Sequence, residues 1–456
     1  MRNSVPFFLA FLFLVNANLS SQNLSQSPYG RFALGDLMAP GNAWNHSLGG
    51  SAVAVHDSSV LNFEQPASLV TMSKGVSIFE GGVSGMWQEY QSTQRTTTGT
   101  TAGYNSVGLA IPILRGKWHT GFKLNPISNT GFVLRDSTAS DTPEGKTLFT
   151  YLGSGGFSGL SFTNSFLVFR KLALGATGRL LFGRTSYSSQ VTFPDQASLV
   201  RASSITGSSR LSGYDLNFGA TFHHSFRGRR KISGLSGDGT AERVKAPLRD
   251  SLHMRLGLSY APQMSVRAFE TYVAETFFGT ADFGTIRDTI LFRDNEQGSI
   301  VMPSRLAAGF ALGSTSQKWL FTTEYQMHDW DGFSMFGRSD SVRSAYRVSA
   351  GLQWTPGANQ KGSGIRKAAY RLGGYYSDGY LRLAGRAIPE TGITLGFGLP
   401  IEVPTYYRKP ARSMINVAIT AGQRGAIEQN LIRERFVRVS LTFSLNDRWF
   451  IQSRFD

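Results

Sequence analysis

At 456 residues the chain is long for one soluble domain and comfortable for one large barrel or for two domains. It has no cysteine, which excludes disulfide stapling and thiolate metal sites. The 51 glycines, 33 phenylalanines and 16 tyrosines suit a β-barrel better than a soluble enzyme, because glycine relieves crowding between strands and aromatics form interfacial girdles. The net charge of +16 is compatible with nucleic acid, an anionic lipid surface or an anionic ligand.

The chain opens with Arg2, an unbroken apolar run at 6–15 (PFFLAFLFLV) and a small-residue cleavage site at Val15-Asn16-Ala17. That pattern predicts a secretory signal peptide over residues 1–17, too short and wrongly flanked for a transmembrane helix. No cysteine follows it, so a lipid-anchored form is not expected. No later stretch reaches eighteen continuous apolar residues, so no helix is expected to span a membrane.

Residues 18–72 do not alternate. SPYGRFALGDL at 27–37, LGGSAVAVHDSS at 48–59 and NFEQPASL at 62–69 are punctuated by Gly, Pro, Asn and Asp, which favour turns and short helices. Their apolar residues are too many for a disordered tail. We expect this segment to be a plug, or hatch, packed in the lumen of the barrel that follows at 73–456.

From there alternation dominates. Strands are predicted at 76–85, 106–114, 119–126, 159–169, 172–184, 212–223, 252–261 and 271–283. The clearest hairpin follows. Leu306, Ala308, Phe310 and Leu312 face one way and Arg305, Ala307, Gly309 and Ala311 the other. After the turn at 314–318, Trp319, Phe321, Thr323, Tyr325 and Met327 oppose Leu320, Thr322, Glu324, Gln326 and His328. Each arm has the length of a strand that crosses a bilayer at a tilt. Further strands are predicted at 346–354, 369–376, 380–388, 392–399 and 414–422. A last hairpin is predicted at 435–445 and 448–455, turning at Asn446-Asp447.

The polar faces are small and neutral, with isolated charges, as a closed lumen requires and a soluble sandwich does not. No fixed-period repeat supports a propeller or solenoid. The expected fold is therefore all-β, a transmembrane antiparallel β-barrel of about fourteen strands with an N-terminal plug, integral to a bacterial outer membrane.

The basic run 227–231 (RGRRK), followed by a Gly/Ser-rich stretch, reads as a solvated loop touching lipopolysaccharide or periplasm. No nucleic-acid partner is expected. Inward arginines by strand parity are Arg179, Arg255, Arg305, Arg347 and Arg438, and Arg31 lies in the plug. These could clamp an anionic head group, although inward charges are more often ion-pair partners, here for Asp215, Glu324 or plug acids. Gly49, Gly50 and Pro66 are candidate turns or hinges in the plug.

Enzymatic patterns are weak. Asn45-His46-Ser47 resembles the His/Ser pairing of outer-membrane acyl hydrolases but lies in the expected plug. His223-His224 is not spaced for zinc, and no metal or other cofactor is expected.

Several stretches resemble FadL-type outer-membrane transport proteins, and most nearly a Bacteroidetes-like branch. In the plug region these are residues 48–57 and Gln65-Pro66-Ala67, where the family usually has Asn at the first position. In the wall they are Met302-Pro303-Ser304-Arg305 leading to Gly309, Trp319, Glu324-Tyr325 and Trp330. Others are Tyr370-Arg371-Leu372-Gly373, TLGFGLP at 394–400, Gly422-Gln423-Arg424-Gly425 and NDRWF at 446–450. The resemblance implies a fourteen-strand barrel with an internal hatch and a ligand site between hatch and wall. It implies passive uptake of hydrophobic or amphipathic molecules such as long-chain fatty acids, with outer-membrane lipid and lipopolysaccharide as surroundings. The same branch resembles barrels of type IX protein secretion, so the alternative is a non-conducting scaffold with a secretion-complex partner.

Overall fold

The computed structural model describes residues 26–114, 116–139, 146–194, 200–226, 229–235, 241–247, 251–278, 287–358, 367–402, 412–428 and 431–449. The predicted signal peptide lies outside them.

Fourteen antiparallel strands form a closed transmembrane wall. In chain order they are β1 (Ser77–Gln91), β2 (Thr96–Leu114), β3 (Trp118–Asn129 continuing as Phe132–Ala139), β4 (Lys146–Phe169), β5 (Leu172–Thr192) and β6 (Ala202–Phe226). Next come β7 (Leu252–Ala261 continuing as Met264–Phe277), β8 (Arg287–Met302 continuing as Ser304–Ser314), β9 (Trp319–Asp329) and β10 (Ala345–Trp354). The last are β11 (Ala369–Ser377), β12 (Glu390–Glu402), β13 (Arg412–Arg424) and β14 (Arg433–Asp447). The ladder from Ser77↔Asp447 to Gln91↔Arg433 joins β14 to β1 and closes the barrel.

Alternation explains both faces. On β14, Val437, Val439, Phe443 and Leu445 are exposed outward, while Ser440, Thr442 and Ser444 are buried inward. Outward apolar residues of this kind continue around the wall, as Phe122, Phe162, Phe218, Leu258, Tyr325 and Leu395 show. They form the band that a bilayer would cover. The hairpin of β8 and β9 has the predicted register, Leu306↔Met327 through Leu312↔Phe321.

Three strands are interrupted, two of them at proline, which has no N–H to give to a ladder. β7 breaks at Pro262-Gln263 and β8 at Pro303. The predicted span 252–261 and the part of 271–283 up to Phe277 thus belong to one strand, whose upper part begins at Met264, while residues 279–283 lie outside the described residues. Arg287–Met302 went unrecognised because its charges and a bulge between Glu270/Tyr272 and their partners disturb the alternation. Two predictions are corrected. Residues 380–388 make only a small turn pairing of Arg382–Leu383 with Arg386–Ala387, because Gly385 and Ala384 take positive φ. Asn446 and Asp447 do not turn, since both continue β14 opposite Ile78 and Ser77. Residues 450–456 of the predicted last arm lie outside the described residues.

The wall is uneven. β4 and β6 have 24 and 25 residues, whereas β10 and β11 have 10 and 9. At about 3.3 Å per residue, the β4–β8 side stands well above the other rim. Of the basic run, the backbone of 229–231 joins a separate hairpin, Arg229–Leu235 with Ala241–Pro247.

The segment before β1 is stabilised by local caps. Ser27 caps the turn Pro28–Arg31, Asn42 and Asn45 form a reciprocal capping box around Ala43–His46, and Gln65 caps Pro66–Thr71. Trp44, Leu48, Ala54, Val55 and Val60 bury themselves with Ala311, Leu320 and Met414 of the wall. The segment lies on glycines paired across strands: Gly175 opposite Gly219, Gly257 opposite Gly309, and Gly351 opposite Gly373. A Cβ at Gly351 would stand 2.8 Å from Leu48 Cα, and one at Gly309 3.0 Å from Ala54 N. Only glycine lets two backbones approach this closely.

Candidate functional site

Between the N-terminal segment and the barrel wall lies a cavity of about 270 Å³. Leu34, Leu37–Gly41, Phe63 and Glu64 form its floor, and inward side chains of the strands form its sides. The charges around it fall into two kinds, those with a carboxylate partner and those without.

Lys123 of β3 donates to Glu64 at 2.7 Å. Arg179 of β5 grips Asp215 of β6, donating through Nε at 2.9 Å and through Nη2, and Arg305 approaches the same carboxylate at 3.5 Å. Arg424 of β13 donates to Asp36 at 2.6 Å and lies 3.9 Å from Glu434, which also accepts from Ser27. The carboxyl of Glu64 is held down at about 2. Burial would raise it, but the Lys123 charge and hydrogen bond, with Arg179 and Arg305 behind them, outweigh that effect.

Arg347 and Arg438 form no ion pair among the described residues. Arg347 Nη2 donates to Gly49 O at 3.1 Å, and its guanidinium lies 3.8 Å from the Tyr375 ring centre. Arg438 Nη2 reaches only Met86 Sδ at 3.5 Å, with its guanidinium 5.4 Å from the Phe436 ring centre. His46, at the end of the segment's turn Ala43–His46, lies within reach of both cations, with Nδ1 at 3.1 Å from Ser440 Oγ and Nε2 at 3.1 Å from Pro40 O. Burial, then Arg438, lowers its pKa to about 4, so the ring is neutral. Ser47 Oγ donates to Trp44 O instead of to the histidine, so the adjacent His and Ser do not pair.

Of the arginines singled out by sequence, Arg179, Arg305, Arg347 and Arg438 meet at this cavity. Arg255 lies elsewhere, donating to His56 O at 3.1 Å. Arg31 stands 4.6 Å over the Tyr151 ring, beside a second cavity of about 340 Å³ under the tall rim. The expected pairing of Asp215 with arginine is present. Glu324, however, is no arginine partner: its carboxylate accepts the N–H groups of Ala52 at 2.6 Å and Val53 at 2.7 Å. Gly49 and Gly50, both at positive φ, and Pro66 are contact points with the wall. A Cβ on Gly49 would be 2.5 Å from Gly374 O, and Pro66 O accepts from Ser165 at 2.7 Å. Sequence reasoning missed Lys123, Glu64, Asp36, Arg424 and Glu434; parity marks the wall residues among them as inward, but nothing local announces their partners.

The wall itself is incomplete beside the cavity. The ladder between β2 and β3 runs from Leu114↔Trp118 to Val107↔Leu124 and, among the described residues, stops there. Among the described residues, Thr96 to Tyr104 and Ser106 pair only with β1, and Asn105 is bulged out of that ladder. Beyond Leu124, Pro126 offers no N–H, and Ile127 is bulged against β4. β3 then turns its edge to the N-terminal segment. Asp36 and Leu37 pair with Asn129 and Ser128, and Met38 N donates to Ile127 O at 2.9 Å. Asn105 Nδ2 donates across to Gly41 O at 3.0 Å. A lateral break in the wall therefore adjoins the cavity, and its covering strand belongs to the N-terminal segment.

A model of the BamG family matches residues 4–235 and 227–456 of the chain. No curated protein matches. Among solved structures, a FadL homologue of Pseudomonas aeruginosa is 10% identical with a TM-score of 0.55, covering 91% of this chain and 100% of its own. The toluene transporter TodX of Pseudomonas putida is 13% identical with a TM-score of 0.51, covering 91% and 99%. The toluene transporter TbuX of Ralstonia pickettii is 12% identical with a TM-score of 0.50, covering 89% and 98%. At these identities the likeness is one of fold.

Proposed function

The chain belongs to the BamG family, and from that premise, the shared fold and the broken wall we propose that it is a bacterial outer-membrane channel for passive uptake of hydrophobic or amphipathic molecules. The lateral break between β2 and β3 is the observation that carries this reading, because it adjoins both the cavity and the lipid-facing band. An apolar molecule leaving there would enter the bilayer without crossing water. The neighbours named as transporters of toluene, and the FadL homologue, support the same class of cargo.

The N-terminal segment acts as the hatch. Gly49, Gly50 and Pro66, pressed on the wall, are its fulcrum, and the strand Asp36–Leu37 is the part that moves. Arg347 and Arg438, which have no carboxylate partner among the described residues, with Arg305 beside them, receive the head group of an amphipath such as a long-chain fatty acid. A carboxylate there would gain charge-assisted hydrogen bonds without displacing an existing ion pair.

The test uses the absence of native cysteine. Leu37→Cys and Ser128→Cys are opposed in register, so a disulfide would fasten the hatch strand to β3. In proteoliposomes, uptake of a fluorescent long-chain fatty acid should fall to background on oxidation and return on reduction. Full uptake by the oxidised form overturns hatch gating. Background uptake in both forms, from a folded barrel, overturns conduction and favours the scaffold of a protein-secretion complex.

A further inference from the structure

Three arginines gather on the outer surface of the tall side of the wall, just beyond Phe182 and Tyr214, the last large outward apolar residues of β5 and β6. Arg184 of β5 and Arg210 of β6 lie directly opposite each other in register, and both are exposed. On β7, Val266 and Ala268 point into the core, so Arg267 points out. Arg210 is opposite Phe269, which places Arg267 on the neighbouring diagonal of the same face. Like charges directly opposite on adjacent strands repel, so this pairing costs stability when nothing lies between them.

The local contacts hold two of the guanidinium groups, those of Arg184 and Arg210, in place rather than neutralise them. Arg184 Nε donates to Ser208 Oγ at 2.6 Å. Arg210 lies 4.9 Å over the Phe269 ring and donates to Asn295 Oδ1 at 3.5 Å. Among the described residues none of the three arginines forms an ion pair. Nearby acids are otherwise engaged: Asp288 pairs with Arg201, Glu296 with Arg293, Glu270 with Arg338, and Asp294 accepts from Thr271.

We propose that Arg184, Arg210 and Arg267 form a site for the phosphate of a membrane glycolipid. Position selects this source. Phe182, two residues from Arg184 on the same face, and Tyr214 of β6 are exposed lipid-facing side chains just below. A row of cations immediately beyond an apolar band lies at headgroup depth, where lipid phosphates sit. Guanidinium forks bind phosphate oxygens in pairs, and a phosphate bridging Arg184 and Arg210 converts their repulsion into attraction. The site is on the opposite face of the wall from the cavity and does not depend on transport.

Native mass spectrometry of the full-length barrel in detergent, titrated with diphosphoryl lipid A, tests this. The wild type should retain one lipid A more tightly than the dephosphorylated lipid. The Arg184→Gln/Arg210→Gln pair should weaken retention about tenfold or more, Arg210→Lys less, and the exposed Arg135→Gln on β3 not at all. Heat-modifiable migration confirms that each variant is folded. Equal retention of the two lipids, or by wild type and the double variant, overturns the proposal. Arginine-dependent displacement of the lipid by low millimolar inorganic phosphate would assign the site to free phosphate and overturn the lipid source.

Discussion

The N-terminal segment meets the wall in two chemically different ways. From Leu48 to Val55, and again at Gln65 to Ala67, it lies on backbone: paired glycines of β5 to β8, β10 and β11 admit its main chain at van der Waals distance. From Asp36 to Gly41, and at Glu64, it meets the wall through ion pairs, a two-residue ladder and single hydrogen bonds around the cavity. Close-packed backbone cannot slide without losing every contact at once. Ion pairs that open onto a cavity can be hydrated as they separate, at less cost than sealed pairs. The first region is suited to be an anchor and the second a latch, and three perturbations test that division.

The largest effect should come from Glu324→Ala in the anchor. Its carboxylate satisfies two buried backbone N–H groups, Ala52 and Val53, which no other described residue would then accept. Leaving two buried donors unpaired costs about 3–5 kcal/mol. Limited proteolysis should then cut the segment while the barrel keeps its heat-modifiable migration. A segment as resistant as in the wild type would show that the glycine contacts alone anchor it.

This anchor was the part least legible in the sequence. Alternation along the strands gave the barrel, since each strand carries its own two-face pattern, and Arg305, Arg347 and Arg438 could be placed inward by parity. The same rule places Glu324 inward and offers it to an arginine, whereas it accepts from Ala52 and Val53, because parity gives a direction and not a partner. The glycines of β10 and β11 are scattered in the chain and become a platform only through register, as Gly351↔Gly373. The break beside β3 was equally hidden. Pro126 marks a weak rung, but a ladder that ends at Val107↔Leu124 depends on how two separate strands meet.

A middle-sized effect is expected from acid, at the joint between anchor and latch. His46 is neutral in the folded protein, with its pKa lowered to about 4 by burial and the nearby Arg438. The unfolded segment would bind its proton near the usual 6.5, so the stabilisation is complete above that pH. It is lost as pH falls from 6.5 towards 4, on the order of 3 kcal/mol in all. Protease protection of the segment, compared at pH 7.5 and 5, should weaken in the wild type. His46→Gln should reduce that dependence but not abolish it, because His56 of the same segment is held well below the usual histidine range by burial and then Arg255; a profile unchanged by His46→Gln would assign the acid response to His56.

The smallest effect should follow from Lys123→Met in the latch. Glu64 loses its nearest cation, yet Arg179 and Arg305 remain near it and it faces a cavity where water can solvate it, so the cost is about 1–2 kcal/mol, below the ~3–5 kcal/mol of a sealed ion pair. The carboxyl of Glu64, held at about 2 in the wild type, sits below its unfolded value. Its stabilisation is therefore complete above about 4.5 and is lost as pH falls from there through about 2. The latch pair thus survives at pH 5, where His46 is already failing. Lys123→Met should leave the segment protected from protease and loosen only the covering strand, read as faster labelling of a Leu37→Cys thiol. If the variant instead releases the whole segment, charge and backbone contacts form one cooperative unit, and opening the wall beside β3 requires the segment to move as a body.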